Sequence, residues 1–283
     1  MAEIGILLID KPVGISSFDV IRKLRQITKI RKMGHTGTLD PFASGLLPIC
    51  VGKATRIADK LSGNEKEYLV KMKFGIKTDS GDITGKIIDS QTELKVENPA
   101  NIVKQILAIE EQTPPIFSAI KIDGKRAYEY ARKGENIKLK SRPIKIHNFK
   151  IIEFNFPFLT YKTTVSKGTY IRVLSETIAD LLDTIATTVE LQRTKIGNLN
   201  LENGVKLAQL NPQNWQDNLF DITEILTDFP KISIDKIDDF VNGKRTFIEQ
   251  DNIEEIMVIC ENKFVGFAKI ENGYLCPTKV MVN

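Results

Sequence analysis

Three observations predict an α+β protein. Lys66 to Ile76 alternates with a period of two, which marks a half-buried strand. Ser16 to Ile27 carries apolar residues at helical spacing behind a capping pair. Beyond Pro230, short apolar runs are separated by turn residues, a β-rich pattern. At 283 residues, with 42% hydrophobic and 27% charged side chains, the chain suits one large domain with a small appendage.

Gly5 to Asp10 reads as a short buried strand. Ser16 and Asp19 then open a helix with Val20, Ile21, Leu24 and Ile27 on one face, while Arg22, Lys23, Arg25, Lys29, Arg31 and Lys32 face only Asp19 in that stretch. These cations lead into Met33 to Pro48, MGHTGTLDPFASGLLP, where one carboxylate, Asp40, and one imidazole, His35, stand among glycine, proline, apolar and small hydroxyl residues. Pro41 biases Asp40 away from the helical region, so the carboxylate is expected on an extended segment or turn. Taken alone, an Asp-Pro pair is more often a turn initiator than a catalytic element.

Leu46 to Val51 is apolar, and Ala54 to Leu61 suits a short helix. In the alternating strand, Tyr68, Val70, Met72, Phe74 and Ile76 share one face and Leu69, Lys71 and Lys73 the other. Thr78 to Gly85 forms a turn containing Asp82, and Asn98-Pro99 opens a helix whose apolar face includes Ile102, Val103 and Ile106. From Pro114 to Lys150 the chain has ten Lys or Arg against three Asp or Glu, interleaved with Phe117, Tyr128, Tyr130 and Phe149. Cations mixed with aromatics suit a surface that tracks phosphates and stacks on bases.

Lys145 to Phe154 and Leu159 to Ser166 read as paired strands. The break at Lys167-Gly168-Thr169 precedes a helix with Ile171, Leu174, Ile178 and Leu182, and Ile185 to Ile196 returns as a strand. Arg172 falls in the first turn of that helix, where the dipole disfavours a cation, so an acidic partner is expected. Turns at Asn242-Gly243, Glu261 to Lys263 and Asn272-Gly273 punctuate the last segment.

Composition narrows the function. Cys50, Cys260 and Cys276 are too few and scattered for a disulfide framework or zinc site, and only His35 and His147 could assist. The start, Met-Ala-Glu, is acidic, and Ile4 to Ile9 is too short for a signal core or membrane span, so a cytoplasmic protein without membrane contact is expected. Net charge is +4, with seven cations against nine anions after Pro230, so the excess basic charge lies in the body. Gly52-Lys53-Ala54-Thr55 is no phosphate-binding P-loop, and Ser44 lacks a nucleophile-elbow context. What survives is a framed aspartate between basic, aromatic-bearing segments, which points to carboxylate chemistry on a nucleic acid.

Six ordered blocks carry a resemblance: GILLIDKPVGISSFDVI, MGHTGTLDPFASGLLP, KEYLVKMKFGIKTDSGD, PPIFSAIKIDGKRAYEYAR, SKGTYIR and LQRTKIG. Together they resemble the tRNA pseudouridine 55 synthases of the TruB family, and GFAKIENGYLCPTKVM near the end resembles, more loosely, a PUA domain. The resemblance implies a pseudouridine synthase fold around a mixed, mostly antiparallel sheet. Its divisions are a catalytic domain over 1–229, with a basic clamp insertion at 114–150, and a PUA-like RNA-binding domain over 230–283. It also implies isomerisation of uridine 55 in the T-loop, with no cofactor or metal. The expected partner is the tRNA T-arm, and a monomer without an obligatory protein partner is expected.

By the same resemblance Asp40 is the essential aspartate, acting through a glycal or a covalent acyl intermediate. Arg172 pairs with it, and Tyr68 stacks on the flipped uracil and assists proton removal at C5. Tyr170 and Leu191 line the substrate pocket, Asp82 is a pocket acid, His35 fills the gap left in the T-loop, and Lys11 supports the active-site loops. Departures from the family pattern are Phe42, Val165 and Leu182-Asp183 where many members have glycine. Two other readings remain: a tRNA-folding chaperone independent of catalysis, and a guide-RNA-dependent subunit resembling dyskerin, against which the long basic insertion argues. An aspartate glycosidase lacks a clear second carboxylate in the Asp40 motif.

Overall fold

The computed structural model describes residues 3–282 except 64, 94, 123, 136 and 138. Its main elements are β1 (Gly5–Lys11), α1 (Ser17–Thr28), β2 (Met33–His35), β3 (Ser44–Val51), β4 (Lys66–Phe74), β5 (Ile146–Asn155), β6 (Phe158–Val165), α2 (Ile171–Asp180) and β7 (Ala186–Ile196). A central sheet runs β5-β6-β4-β7-β3-β1, with the short strand Val205–Lys206 beyond β1. Most neighbours are antiparallel; β7 beside β3, and β1 beside Val205–Lys206, are parallel. The architecture is thus the expected mixed, mostly antiparallel α+β type.

Period-two alternation sorts β1 between two cores. Leu7 and Ile9 join Val20 and Leu24 of α1, Val70 and Met72 of β4, and Leu174 and Ile178 of α2. Ile6 and Leu8 turn to the opposite face with Leu46, Cys50 and Ile196. A strand covered on both faces reads as an unbroken apolar run, which is why β1 shows no alternation in sequence. At the start of α1 the Ser16 hydroxyl accepts from the Asp19 amide while Asp19 accepts from the Ser16 amide, closing the capping box.

The C-terminal sheet follows the order Lys231–Ser233, Ile253–Cys260, Lys263–Glu271, Tyr274–Val280, Thr246–Phe247. Met257, Phe264 and Phe267 complete the second core against Ile57 and Leu61, so this sheet is packed on the body. Polar ties border that contact. Arg56 Nη1 donates to Val280 O at 2.7 Å, and Lys60 pairs with Glu255 while lying over the Phe229 and Phe267 rings.

Local expectations need correction. Gly75 at φ +87 ends β4, so Ile76 leaves the Tyr68 face and pairs with Ser90 in a separate hairpin. The basic segment does not run as one surface to Lys150, because Ile146–Asn155 is an edge strand of the central sheet. Phe149 on that strand is buried and stacks on Tyr161 with centroids 4.9 Å apart, which removes it from any exposed base-stacking set. The helix begun at Ile171 ends at Asp180, and Asp183 adopts φ +52, the backbone geometry that favours glycine. Among the described residues, no helix is long and apolar enough to cross a membrane.

Candidate active site

The parallel contact between β3 and β7 is short, registering only Ser44 with Gln192 and Gly45 with Arg193. Gly45 permits this approach: at φ +99, an added Cβ would lie 2.4 Å from Arg193 O. Immediately before it, the 36–43 loop is tied from several sides. Ser17 Oγ accepts from the Leu39 amide at 2.8 Å and lies 3.0 Å from Leu39 O, while the Gly14 amide donates to Pro41 O at 2.7 Å. Leu39, Phe42 and Ala43 are buried. Asp40 is therefore held on a turn whose flanking side chains are anchored in the core.

Arg172 meets this loop from the first turn of α2. Its Nε lies 3.0 Å from Asp40 Oδ2, its Nη1 donates to Ser80 O at 2.5 Å and stands 3.7 Å from Asp82 Oδ2, and its Nη2 donates to Phe117 O at 2.9 Å. One guanidinium thus joins the Asp40 loop, the 79–85 turn and the root of the basic segment. The Arg172 side chain is 5% exposed and that of Asp40 37%. The cleft walls push the Asp40 carboxyl above its ordinary range by desolvation, Arg172 pulls it down, and Asp82 pushes it up. Arg172 is the largest influence favouring ionisation.

Asp82 is fixed by Thr84, whose amide and hydroxyl donate to Oδ1 at 3.0 and 2.5 Å, and by a bridge to Thr188 of β7. Tyr170 precedes α2, with its backbone N–H and C=O both satisfied by the Gln112 side chain, at 2.7 and 3.1 Å. Burial raises the Tyr170 phenol above its ordinary range.

These groups line a cleft of about 840 Å³, towards the upper end of the roughly 300–1,000 Å³ usual for ligand sites. Asp40, Tyr68, Asp82, Tyr170, Arg172 and Leu191 are all in its walls. Lys11 and His35 are not. Lys11 is fully buried and its Nζ donates to Pro12 O and Ile15 O at 2.9 and 2.7 Å, with Pro41 O at 3.5 Å; burial pulls it down to about 8, opposed by Asp40. It clasps the two loops that support Asp40. His35 extends β2 beside the cleft, and burial, then Arg193 and Arg126, lower its basicity, which favours the neutral imidazole.

Arg193 and Lys66 are cleft residues not singled out from the sequence. Arg193 is 1% exposed, with Nε donating to Leu46 O at 2.8 Å and Nη2 to Gly37 O at 3.1 Å. The signal was present in the alternation of β7, which puts a cation on the same face as Leu191. Among the described residues, no cluster of three or more His, Cys, Asp or Glu could hold a metal ion.

Among known families, the N-terminal domain model of the TruB family pseudouridylate synthases matches residues 25–171. The tRNA pseudouridine synthase B of Clostridium tetani (strain Massachusetts / E88) is 38% identical over 280 residues, covering 95% of this chain and 97% of that protein. That of Burkholderia pseudomallei (strain 668) is 35% identical over 296 residues, covering 98% and 97%. Among solved structures, an H/ACA ribonucleoprotein bound to a substrate RNA containing 2′-deoxyuridine aligns with a TM-score of 0.70 at 20% identity, covering 99% of this chain and 85% of that one. A Cbf5-Nop10-Gar1 complex gives 0.69 at 21% identity, covering 98% and 85%. At such identities the structural matches speak for the fold alone.

Proposed function

Because the chain belongs to the TruB family of pseudouridylate synthases, we propose that it isomerises a uridine of tRNA to pseudouridine, and that its target is uridine 55 in the T-loop. The observation that carries this reading is the Asp40–Arg172 pair, set in a cleft large enough for an extruded nucleotide. The reaction moves no atom to or from a second substrate. The bond from N1 to C1′ breaks, a bond from C5 to C1′ forms, the proton leaves C5, and N1 gains one. An ionised carboxylate beside the sugar serves either route, by attacking C1′ or by removing a sugar proton to give a glycal.

The remaining cleft residues take roles around that step. Tyr68 offers a face for the extruded uracil, and such stacking returns about 1–3 kcal/mol per base against an unstacking cost of a few kcal/mol. Leu191 and Tyr170 close the pocket, Asp82 orients Arg172, and Lys11 holds the Asp40 loop. His35 occupies the space the nucleotide leaves. The exposed cations Lys121, Lys125 and Arg126 belong to a hairpin that suits the T-arm backbone. We divide the chain into a catalytic part over 1–229 and a PUA-like part over 230–283, packed together through the second core.

Incubating the full chain with a bare T-arm hairpin and mapping pseudouridine tests the reading. Conversion at the T-loop uridine is expected without guide RNA or partner protein. Conversion only with a guide would favour the dyskerin-like alternative, and tRNA refolding without conversion would favour the chaperone.

A further inference from the structure

Helix α1 meets the cleft through the loop that carries Asp40. Ser17 Oγ accepts from the Leu39 amide, and the Gly14 amide donates to Pro41 O; Leu39 and Pro41 both line the cleft. From that junction Phe18, Arg22, Arg25 and Lys29 follow at the spacing i, i+4, i+7 and i+11, which falls on one face of a helix. The stripe borders the buried residues Val20, Ile21 and Leu24 and is about 16 Å long. Phe18 is 57% exposed. The Arg25 guanidinium carbon stands 5.8 Å from the centre of its ring, within cation–π range, and Arg25 Nε is buried without a hydrogen-bond partner. Arg22 pairs with Asp19 yet keeps a side chain 65% exposed, and Lys29 is exposed. Asp19 also accepts from the Ser16 amide and hydroxyl. From Ser17 to Met33 six cations stand against that single carboxylate.

A lone exposed phenylalanine is ordinary. Here the ring is held by an arginine, flanked by further cations and set beside a cleft that takes an extruded nucleotide. An aromatic face serves the π-face of any base, and the cations alongside serve its phosphates. The helix dipole accounts for Lys29 at the C-terminal end of α1, but not for Phe18 and Arg22 in its first two turns. An acidic protein segment would answer the charge and leave the ring without a stacking partner. We propose that Phe18, Arg22, Arg25 and Lys29 form a second RNA contact, on which an unpaired nucleotide of the tRNA stacks against Phe18 while adjoining phosphates meet Arg22 and Lys29. The inference rests on the RNA reading above. It adds that the tRNA is gripped from α1 as well as from the basic hairpin, so a stripe outside the cleft sets affinity without touching the reacting atoms.

The test uses the full chain and an unmodified tRNA transcript, with thermal melts to show that each variant is folded. Phe18→Ala should weaken binding about tenfold and raise KM with kcat unchanged, the mark of a contact made equally in ground and transition states. Phe18→Trp should keep wild-type affinity, and its indole should be quenched by the tRNA; wild type, whose one tryptophan, Trp215, is buried, is the control. Arg22→Gln/Lys29→Gln should lower the slope of log K against log salt by about 0.7 for each phosphate no longer neutralised. Wild-type affinity in Phe18→Ala, an unquenched indole or an unchanged slope would each overturn the proposal. Polyglutamate is the second probe: if it quenches the indole as the tRNA does, the stripe reads charge alone and the proposal fails. Conversion is scored separately. Quenching without pseudouridine would count against the parent reading, and pseudouridine without quenching against the stripe alone.

Discussion

Replacing Arg172 by Gln removes the nearest cation from Asp40 while leaving the desolvation of the cleft and the charge of Asp82, both of which oppose ionisation. With Nε 3.0 Å from Oδ2, the charge centres lie roughly 4 Å apart, worth about 4 kcal/mol at an effective dielectric constant of 20. Asp40 is 37% exposed, and allowing for solvent screening leaves about 2 kcal/mol. Since the proposed chemistry needs an ionised carboxylate, the acid limb of kcat/KM on a T-arm hairpin should move toward neutral pH. Arg172→Lys separates charge from geometry. It retains the cation but loses the fork to Ser80 O and Phe117 O, so its acid limb should move less while its rate still falls. Thermal melts establish that each variant is folded. Superimposable acid limbs for wild type and Arg172→Gln would refute the reasoning that this guanidinium sustains the Asp40 charge.

Three further outcomes are expected. Gly45→Ala places a methyl against Arg193 O at φ +99 and should cost about 3 kcal/mol or more in urea unfolding, since the parallel pairing of β3 and β7 must open; a loss below about 1 kcal/mol would show that the approach is not constrained. Burial first, then Arg193 and Lys167, lower Lys66 from 10.5 to about 8. The unfolded chain therefore holds more protons between those values, and stability rises with pH across that window. Lys66→Met should gain on the order of 1–3 kcal/mol at neutral pH and show a weaker rise above about pH 8, and an unchanged pH dependence of melting would contradict this. Lys121→Ala with Lys125→Ala should weaken hairpin binding and reduce the slope of log K against log salt by about 0.7–0.9 for each phosphate no longer neutralised; an unchanged slope would remove the basic hairpin from the RNA interface.

Local signals exposed much of this fold because they coincide with how the chain is buried. The capping pair Ser16 and Asp19 marks α1 to the residue, and the alternation from Lys66 survives because β4 has one face in the core. Where glycine intervenes, the pattern misleads: Ile76 continues the alternation on paper, but Gly75 turns the chain into another hairpin. Phe149 sits in a basic context yet faces the core, since charge density along a segment does not reveal which face of an edge strand is covered.

At the site, the misplaced cation in the first turn of α2 pointed to an acid, and Asp40 is 3.0 Å away. Which acid it was followed from the family resemblance, because tertiary contact leaves no mark in spacing. The same limit hid Asp82 beside the same guanidinium, apart from that resemblance, and the place of Lys66 and Arg193 in the same cleft. Backbone carbonyls such as Ser80 O and Phe117 O, which aim Arg172, leave no trace in the identity of their residues.

The proposed chemistry converges on one carboxylate. The most direct measurement is pseudouridine formed by Asp40→Asn on a T-arm hairpin during prolonged incubation, beside its affinity for the same RNA. Conversion should be indistinguishable from a sample without protein, with affinity within about threefold of wild type, a difference below about 1 kcal/mol. Measurable conversion by the folded variant would contradict the assignment of the chemistry to Asp40.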